Sequence, residues 1–402
     1  MSHACVDVYQ GAVAALVPYF VAERSYGYAA ASGLVLAASL LSSVVQPLFG
    51  LLTDRRRMPW LLPLSALAAG AGVGLAGVFG PYAVTLAVVA LSGAGVAAYH
   101  PEAARVARAA AGGSHTAMGW FSLGGNLGFA AAPLLVAGVL AVGGLAASPL
   151  LAVPAALGAV LCAVVVRRTP VETASVRGGE RSAVAADDWR SFARLSGAIV
   201  CRSVVFVGLS AFVALYARER TGGGQGAGTA ALFVLYAGGA VGTVAGGRLA
   251  ARFGRTAVVR WSYALTVPAV AGVVLVPGPA LYVFVALTSA GLYVPFSLHI
   301  TLGQDYLPGR PGTASGVTLG LAVSVGGLAG PLIGAAADAW SLQAALAPLI
   351  ALPAAGWLLL RTLHEPAAAT APRAGRPGKF RNARDLDVTR RLRNNSRTSH
   401  SP

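Results

Sequence analysis

The sequence predicts an all-α membrane protein with twelve transmembrane helices, arranged as two pseudo-symmetric halves of six. Composition is the first sign: 56% of the 402 residues are hydrophobic and only 11% are charged, whereas charged residues make up about 25% of a typical soluble domain. Apolar runs of about 20 residues recur along the chain, and each is long enough to cross a bilayer core of about 30 Å. An internal repeat is the third sign. The alternating ten-residue pattern of a membrane β-barrel is absent from the sequence.

The apolar runs define the predicted domains. Residues 1–166 form the N-terminal six-helix half, and residues 193–361 form the C-terminal half. Between them, residues 167–192 form a polar cytoplasmic loop, and residues 362–402 form a basic tail that we expect to be disordered. The predicted spans are 2–22, 28–52, 58–78, 82–106, 116–139, 145–166, 193–217, 228–250, 257–276, 280–304, 313–337 and 341–361.

The distribution of arginine predicts the orientation in the membrane. The net charge of +16 comes from arginines that follow spans 2, 4, 6, 8 and 10 and from the tail. The opposite side carries only Arg24, Arg218 and Arg220. Because cytoplasmic loops of membrane proteins are enriched in basic residues, both termini are expected in the cytoplasm. This pattern accounts for the positive charge without a nucleic-acid partner.

Four pairs of residues repeat at an offset of 196 to 198 residues and predict that the two halves are copies. A constant offset over a whole half-chain is not expected from chance similarity between apolar runs. The repeat also places the start of span 1 a few residues before Met1, so we expect the first turn of that helix to be missing. The pairs are Glu23/Glu219, Gly50/Gly247, Gly95/Gly291 and Pro133/Pro331.

A loop after span 2 resembles the signature loop of the major facilitator superfamily. Its sequence, GLLTDRRR, begins at Gly50 and contains Asp54 and Arg55. The resemblance implies a major facilitator fold and a latch that closes the cytoplasmic side, to which we also assign Arg105. A plain cluster of topology-determining arginines is the alternative. The second copy of the loop has Ala251 at the acidic position, so any latch is asymmetric.

Three further motifs are similar to those of fosmidomycin-resistance-type transporters, and they occur in the same order. These proteins are multi-pass efflux transporters of the bacterial inner membrane that use the proton gradient to expel antibiotics and other small toxic compounds. One departure is that residues 86–92 lack the arginine that the superfamily places early in span 4. The motifs are His3-x-x-x-Asp7-x-x-Gln10-Gly11, Tyr99-His100-Pro101-Glu102-Ala-Ala-Arg105, and Gln304-Asp-Tyr-Leu-Pro308 followed by Gly312-x-x-Ser315-Gly316.

Proton coupling requires groups that gain and lose protons inside the bundle. We assign Asp7, His100, Glu102 and His299 as candidates, because an imidazole titrates between about pH 5 and 8 and ionisable groups in membrane helices are functional by default. Alternatives remain for three of them. His100 and Glu102 can lie at an ordinary helix end, with Glu102 paired to Arg105 three residues on. His299 can be an interior histidine with satisfied hydrogen bonds.

Arg202 is predicted to lie near the middle of the membrane, about nine residues or ~14 Å into span 7. Its guanidinium stays charged and therefore needs an anion or a water-filled cavity. Because its counterpart in the repeat is next to Asp7, two roles are open: an ion pair with Asp7, or a site for an anionic or polar substrate. The other predicted cavity residues are Gln10, Tyr99, Asn126 and Gln304.

Asn126 lies in the motif Gly124-Gly-Asn-Leu-Gly128, which resembles the glycine–proline motif of antiporter members of the superfamily. A packing interface of small residues is the alternative explanation. The three cysteines, Cys5, Cys162 and Cys201, lie in apolar runs, and their spacing indicates neither a disulfide nor a metal site. No metal or other cofactor is expected.

The favoured function is export of a small molecule in exchange for protons. Proton-linked uptake of a small polar or anionic metabolite on the same fold is the alternative. A membrane sensor or scaffold that does not transport is a further alternative. The sequence argues against an ATP-driven pump, because its single lysine, Lys379, is followed by Phe380 and not by the serine or threonine of a Walker A motif. We expect no enzyme activity and a monomer in the bilayer whose partners are protons and substrate.

Overall fold

The computed structural model describes residues 1–55, 58–111, 115–168, 186–310, 313–314, 317–318 and 322–366. Side chains are described within these ranges except at residues 42–44, 47, 50–51, 54–55, 108–109, 111, 115–119, 168 and 322–324. These ranges contain helices and short connections and no β-strand, as the all-α prediction requires.

Six α-helices build the first half, and they follow the predicted spans closely. A 3-10 helix over Gly144–Ala152 joins the fifth to the sixth, and Gly144 has the left-handed φ of 56° that starts the break. The helices are α1 (Ser2–Arg24), α2 (Tyr28–Arg55), α3 (Leu61–Ala76), α4 (Tyr82–Ala111), α5 (His115–Gly143) and α6 (Val153–Arg168).

The second half is more interrupted than the first. The tenth span is broken at Val294 and Pro295 into two helices, because proline lacks the N–H that a helix interior needs. The twelfth span is likewise two helices joined by a short 3-10 turn. The helices are α7 (Trp189–Thr221), α8 (Gln225–Phe253), α9 (Arg255–Leu275), α10 (Leu281–Tyr293), α11 (Phe296–Tyr306), α12 (Ala322–Ala339), α13 (Leu342–Leu346) and α14 (Ala351–Leu360).

Twelve membrane spans are accounted for. Eight helical segments of the described chain are long and apolar enough to cross a bilayer. One of them, Trp120–Arg167, has 48 residues and contains the break at Gly144, so it supplies two spans. The eight segments thus supply nine spans, and three shorter apolar helices bring the total to twelve: Tyr28–Leu41, Leu61–Ala76 and Val325–Ala339.

The predicted boundary between the halves differs from the structure at one end. The central loop was expected to extend to residue 192, but α7 already begins at Trp189. The Asp188 carboxylate accepts a hydrogen bond from the Ser191 N–H at 3.0 Å, which caps the helix and fixes its start there. Residues 169–185 of the loop and 367–402 of the tail lie outside the described residues.

The two halves repeat each other in their hydrogen bonds as well as in their sequence. At the end of α1 the Arg24 guanidinium donates to the carbonyl of Phe79. At the end of α7 the Arg220 guanidinium donates to the carbonyl of Leu275 at 3.2 Å. From Arg24 to Arg220 and from Phe79 to Leu275 the offset is 196 residues. The same two guanidinium groups also lie over aromatic rings at that offset, Phe20 and Tyr216.

The halves meet where α1 packs on α7, α2 on α12 and α5 on α8. At Gly334 of α12, an added Cβ would lie 2.6 Å from the Tyr28 carbonyl oxygen, so the close approach requires glycine. One turn further along, the Asp338 carboxylate accepts hydrogen bonds from the N–H groups of Tyr28 and Ala29 at 2.7 and 2.9 Å. These N–H groups begin α2 and have no partner within their helix. One carboxylate therefore joins the halves at the end of the bundle opposite Met1.

Candidate functional site

Two histidines and an aspartate form a cluster between α1 and α4, which we call the acid–histidine cluster (His3, Asp7 and His100). His3 and Asp7 are four residues apart and therefore share one face of α1. The Asp7 carboxylate lies 3.2 Å from Nε2 of His3 and 3.0 Å from Nε2 of His100. His3 and Asp7 are each only 8% exposed. Charges shielded from water in this way interact more strongly than charges on the surface.

Backbone carbonyls fix the orientation of both imidazole rings. Nδ1 of His3 lies 2.7 Å from the carbonyl oxygen of Phe121, and Nδ1 of His100 lies 2.8 Å from that of Val96. A carbonyl oxygen only accepts hydrogen bonds, so each Nδ1 carries a hydrogen. Each Nε2 then faces Asp7, and a bare nitrogen lone pair would repel the carboxylate. Both contacts are therefore attractive only when a proton sits on the imidazole or on the carboxyl group.

Helix α5 closes over the cluster through a glycine. A Cβ added at Gly125 would lie 2.6 Å from Cε1 of His3 and would also contact the Asp7 carboxylate. A Cβ added at the preceding Gly124 would meet no atom within 4 Å. Phe121, one turn earlier on α5, stacks on His3 with the ring centroids 4.0 Å apart. The close approach of α5 to the cluster thus depends on the second glycine of this motif and not on the first.

A cavity between the two halves adjoins the cluster. Its volume is about 120 Å³. Gln10 lines the cavity, and its Nε2 donates a hydrogen bond to Oδ1 of Asp7 at 3.3 Å. One side chain therefore touches both the cavity and the cluster. The described lining residues carry no charge, and they are Tyr9, Gln10, Val13, Ala14, Val35, Ala38, Ser39, Ser92, Gly93, Val96, Phe129, Phe206, Val207, Ser210 and Tyr236.

Three other predicted cavity residues are not among these lining residues. Tyr99 is 1% exposed, and its hydroxyl lies 3.2 Å from Oγ of Ser2, next to the cluster. Asn126 donates from Nδ2 to Oγ1 of Thr243 at 3.4 Å, which places it at the contact of α5 with α8. Gln304 is half-buried on α11. Sequence position gives the depth of these residues in the membrane but not the neighbour that each helix face meets.

Glu102 belongs to a separate ion pair. Its fully buried carboxylate accepts hydrogen bonds from the Arg105 guanidinium, including one from Nε at 2.9 Å. Helix positions two residues apart face different sides, so Glu102 points away from the partner of His100. His100 and Glu102 therefore have different partners, and the proton-coupling role assigned to each of them stays a prediction. The alternative of a helix-end ion pair with Arg105 describes Glu102, whereas the His100 ring contacts the Asp7 carboxylate.

Arg202 lies inside the second half, away from Asp7. Its Nη1 donates to the carbonyl of Leu292 at 3.1 Å, and its Cζ lies 5.3 Å from the centroid of the Phe296 ring. It does not appear among the described lining residues of the cavity. The ion pair with Asp7 was one of the two roles left open for Arg202, and it is not among the described contacts, because Asp7 contacts two histidines of its own half. The repeat gives the two residues equivalent places, but in separate bundles.

His299 is also enclosed by the second half. It is 1% exposed, and its ring centroid lies 5.8 Å from that of Tyr263. Among the described residues, no acidic side chain contacts it and neither ring nitrogen has a hydrogen-bond partner. Its predicted part in proton coupling is therefore not supported by a nearby acid.

For the predicted cytoplasmic latch, the structure describes the backbone but not all of the side chains. The backbone of α2 is helical through Gly50, Asp54 and Arg55, and the side chains of these residues lie outside the described part of the chain. The role assigned to this loop therefore stays a prediction. For Arg105, the described contact is the one to Glu102.

At the same end of the bundle, the second copy of the loop leads into an ion-pair network. The Arg255 guanidinium contacts the carboxylates of Asp305 and Glu365 at 2.5 and 2.6 Å. The Thr256 N–H donates to Glu365 at 3.0 Å. Burial acts to raise the pKa of Glu365, but the hydrogen bonds from Thr256 and Arg255 outweigh it and hold that pKa below its usual value.

Two residues were missed as site residues from the sequence. His3 stood in a recognised motif, and its four-residue spacing from Asp7 was a usable signal. Asp338 was a single acid at the end of an apolar span, where an unpaired charge is costly. Each also has a contact from a distant part of the chain, the Phe121 carbonyl for His3 and the N–H groups of Tyr28 and Ala29 for Asp338.

Comparison with known proteins agrees with this architecture. Residues 1–331 match the family model of the Major Facilitator Superfamily. The chain is 29% identical over 369 residues to the fosmidomycin resistance protein of Escherichia coli (strain K12), covering 90% of each. It is 30% identical over 368 residues to the uncharacterized MFS-type transporter YfnC of Bacillus subtilis (strain 168), covering 89% of each.

Solved structures show the same fold at low sequence identity. A bacterial homolog of the human lysosomal transporter Spinster, inward-facing and unoccupied, aligns with a TM-score of 0.73 at 16% identity, over 92% of this chain and 97% of that one. The nucleoside transporter NupG aligns with a TM-score of 0.71 at 11% identity, over 90% and 97%. The chain is a multi-pass membrane transporter, and it belongs to the Major Facilitator Superfamily.

Proposed function

We propose that the protein exports a small antimicrobial or toxic compound in exchange for protons, by alternating access of the cavity between its halves. The observation that carries this proposal is the Gln10 side chain, which joins the cavity to the Asp7 carboxylate. Groups that bind protons inside a membrane helix are costly and serve a function by default. Efflux is further supported by the name of the fosmidomycin resistance protein, which aligns over 90% of both chains.

The lining of the cavity favours a mostly apolar substrate. Four aromatic rings face it, from Tyr9, Phe129, Phe206 and Tyr236, and the described lining contains no charged side chain. The amide of Gln10 and a few serine hydroxyls supply the polar contacts. Pockets of this composition bind molecules with an apolar body and a small number of hydrogen-bonding groups.

The proton count of the cluster supplies a coupling mechanism. With a hydrogen on both Nδ1 atoms and one proton in each Nε2···carboxylate contact, the cluster carries a net charge of +1, from two imidazolium groups and one carboxylate or an equivalent tautomer. Loss of one proton leaves a lone pair facing the Asp7 oxygen, and that contact opens. Asp7 then turns, and Gln10 moves with it because the two are hydrogen-bonded. Substrate in the cavity and protons on the cluster therefore compete.

Orientation follows from the arginine pattern. We place both termini in the cytoplasm of the bacterial inner membrane. In that orientation the acid–histidine cluster lies towards the cytoplasmic side, and the contact of Asp338 with the start of α2 closes the periplasmic side. Protons that drive export would then leave the cluster towards the cytoplasm.

The test is transport by purified protein in proteoliposomes with an imposed pH gradient, using a panel of small aromatic antimicrobials. We expect substrate and protons to move in opposite directions, and Asp7→Asn to reduce both fluxes to the level of protein-free vesicles. The matched control is Glu219→Gln, which removes an exposed acid at the other end of the bundle. Movement of substrate and protons in the same direction would favour uptake. The absence of any protein-dependent flux of substrate or protons would favour a scaffold.

A further inference from the structure

The acid–histidine cluster contains the side chains with which proteins bind transition metals. Nε2 of His3, Nε2 of His100 and a carboxylate oxygen of Asp7 all lie within 4.8 Å of one another. Two imidazoles and one carboxylate are a common ligand set for zinc and for iron. The sequence predicted no metal, because α1 supplies only two of these ligands and the third comes from α4.

The hydrogen bonds of the cluster set the tautomers that a metal requires. Nδ1 of His3 and Nδ1 of His100 each donate to a backbone carbonyl, at 2.7 and 2.8 Å. A histidine that coordinates a metal almost always donates its second ring N–H to a carbonyl, a carboxylate or a water in this way. In their neutral form, both rings therefore direct an Nε2 lone pair towards Asp7, where a cation would bind.

Nε2 of His3 is not satisfied by the protein alone. It is buried and forms no hydrogen bond, although a carboxylate oxygen of Asp7 lies only 3.2 Å away. The distance would allow a hydrogen bond, so the direction of the nitrogen does not. A buried polar atom without a hydrogen bond calls for a further ligand, such as an ion, that the nitrogen can reach.

The spacing of the ligand atoms fits a zinc ion. Zinc lies about 2.0–2.1 Å from nitrogen and oxygen ligands in a tetrahedral site, which places neighbouring ligands about 3.3 Å apart. The oxygens of Asp7 lie 3.2 Å from Nε2 of His3 and 3.0 Å from Nε2 of His100. Three protein ligands leave the fourth position for water. The His100 side chain is 21% exposed, which leaves the cluster open to an approaching ion.

We propose that the acid–histidine cluster binds one zinc ion through Nε2 of His3, Nε2 of His100 and the Asp7 carboxylate. With two neutral imidazoles and one carboxylate, the zinc-bound cluster carries a net charge of +1. That is the charge of the same cluster with a proton in each Nε2···carboxylate contact, so the metal adds no further buried charge. Zinc and these protons share one place, but zinc binding does not require that the protein transports.

Isothermal titration calorimetry with zinc chloride tests the proposal, on purified full-length protein in detergent and without a histidine tag. We expect one saturable site per chain, which an excess of magnesium does not occupy because magnesium prefers oxygen ligands. X-ray absorption at the zinc edge should show two imidazole ligands, oxygen ligands and no sulfur. Neither measurement involves a flux, so absence of binding would leave the proposed proton exchange standing.

The variants His3→Gln and His100→Gln each remove one ligand. Each should weaken zinc binding by about a hundredfold or more, since even the partners of metal ligands contribute about 10- to 100-fold to affinity. The matched control is His364→Gln, which removes an exposed histidine 3.7 Å from Asp188 and should bind zinc as the wild type does.

Three results would overturn the zinc site: no saturable binding by the wild type, sulfur or fewer than two imidazoles around the bound zinc, or wild-type affinity in both histidine variants. Should the variants fail to fold, the ligand set seen by X-ray absorption of the wild type decides.

Discussion

The two halves bury ionisable groups in equivalent places but in different chemical forms. In the first half, Asp7 faces His3 and His100, all of which can gain or lose protons. In the second half, Arg202 lies over Phe296, which is the residue 196 positions after His100. A titratable cluster on one side thus corresponds to a fixed charge on the other. The repeated scaffold is shared, whereas we assign the proton chemistry to one half alone.

The largest effect is expected from closing the gap between α5 and the cluster. In Gly125→Ala the new Cβ would press on His3 and Asp7. Overpacking of this kind costs about 1–3 kcal/mol, so efflux driven by a pH gradient should fall by up to about a hundredfold. The matched control is Gly124→Ala, where the Cβ meets open space. Equal effects of the two substitutions would contradict the assignment of the cluster.

The second test makes the first half resemble the second. His100→Phe introduces the residue found at the equivalent position, and it removes the 3.0 Å contact to Asp7. Loss of a charge-assisted contact should lower efflux by about tenfold and flatten its dependence on pH. Initial rates are measured in proteoliposomes over a range of pH. His364→Phe is the control, because its histidine is 69% exposed, and an unchanged pH profile in His100→Phe would argue against the cluster as the proton site.

The third test concerns the contact that closes the end of the bundle opposite Met1. Asp338→Ala removes the acceptor for two N–H groups at the start of α2, and a helix cap of this kind is worth about 1 kcal/mol. The closed state should lose population by roughly fivefold. Maleimide labelling of Ser32→Cys, a buried position beside α12, would report the change in a chain lacking Cys5, Cys162 and Cys201. Asp338→Asn keeps an acceptor oxygen and should label more slowly than Asp338→Ala.

The smallest effect is expected at the charged end of the second half. The pKa of Glu365 is lower in the folded protein than in the unfolded chain, so its contribution to stability is present above the unfolded value and is lost as the pH falls through the folded value. Its side chain is 41% exposed, which limits the contribution to about 0.2–1 kcal/mol. Thermal unfolding below about pH 5 should therefore be less steeply pH-dependent in Glu365→Gln than in the wild type. Identical pH profiles would show that the ion pairs of Arg255 do not persist.

The fold was predictable because hydropathy and the repeat are properties of long segments. Runs of about 20 apolar residues have few alternatives to a membrane helix, and the offset of 196 recurs in the paired contacts of Arg24 and Arg220. Breaks inside spans were harder to predict. Pro295 interrupts the tenth span, which was predicted as one segment, whereas the break at Gly144 falls between two spans that were predicted separately.

The site was only half predictable, because a sequence gives the depth of a residue and not its neighbours. Asp7 and His100 were both singled out, but they are 93 residues apart, and nothing in their spacing showed that they touch. Their contact depends on how α1 rotates against α4. The same limit explains Arg202: an offset relates two halves by symmetry, and it contains no distance between them.

The fixed tautomers of His3 and His100 have an electrical consequence. With both contacts to Asp7 protonated the cluster bears one net positive charge, and after release of a proton it bears none. A charge that appears or disappears within the membrane responds to voltage as well as to pH, with an energy of about 2.3 kcal/mol for a full crossing at 100 mV. In the proton exchange that we propose, the membrane potential, negative inside, would draw inwards the same proton that the pH gradient supplies, and substrate expulsion would continue in cells whose pH gradient is small.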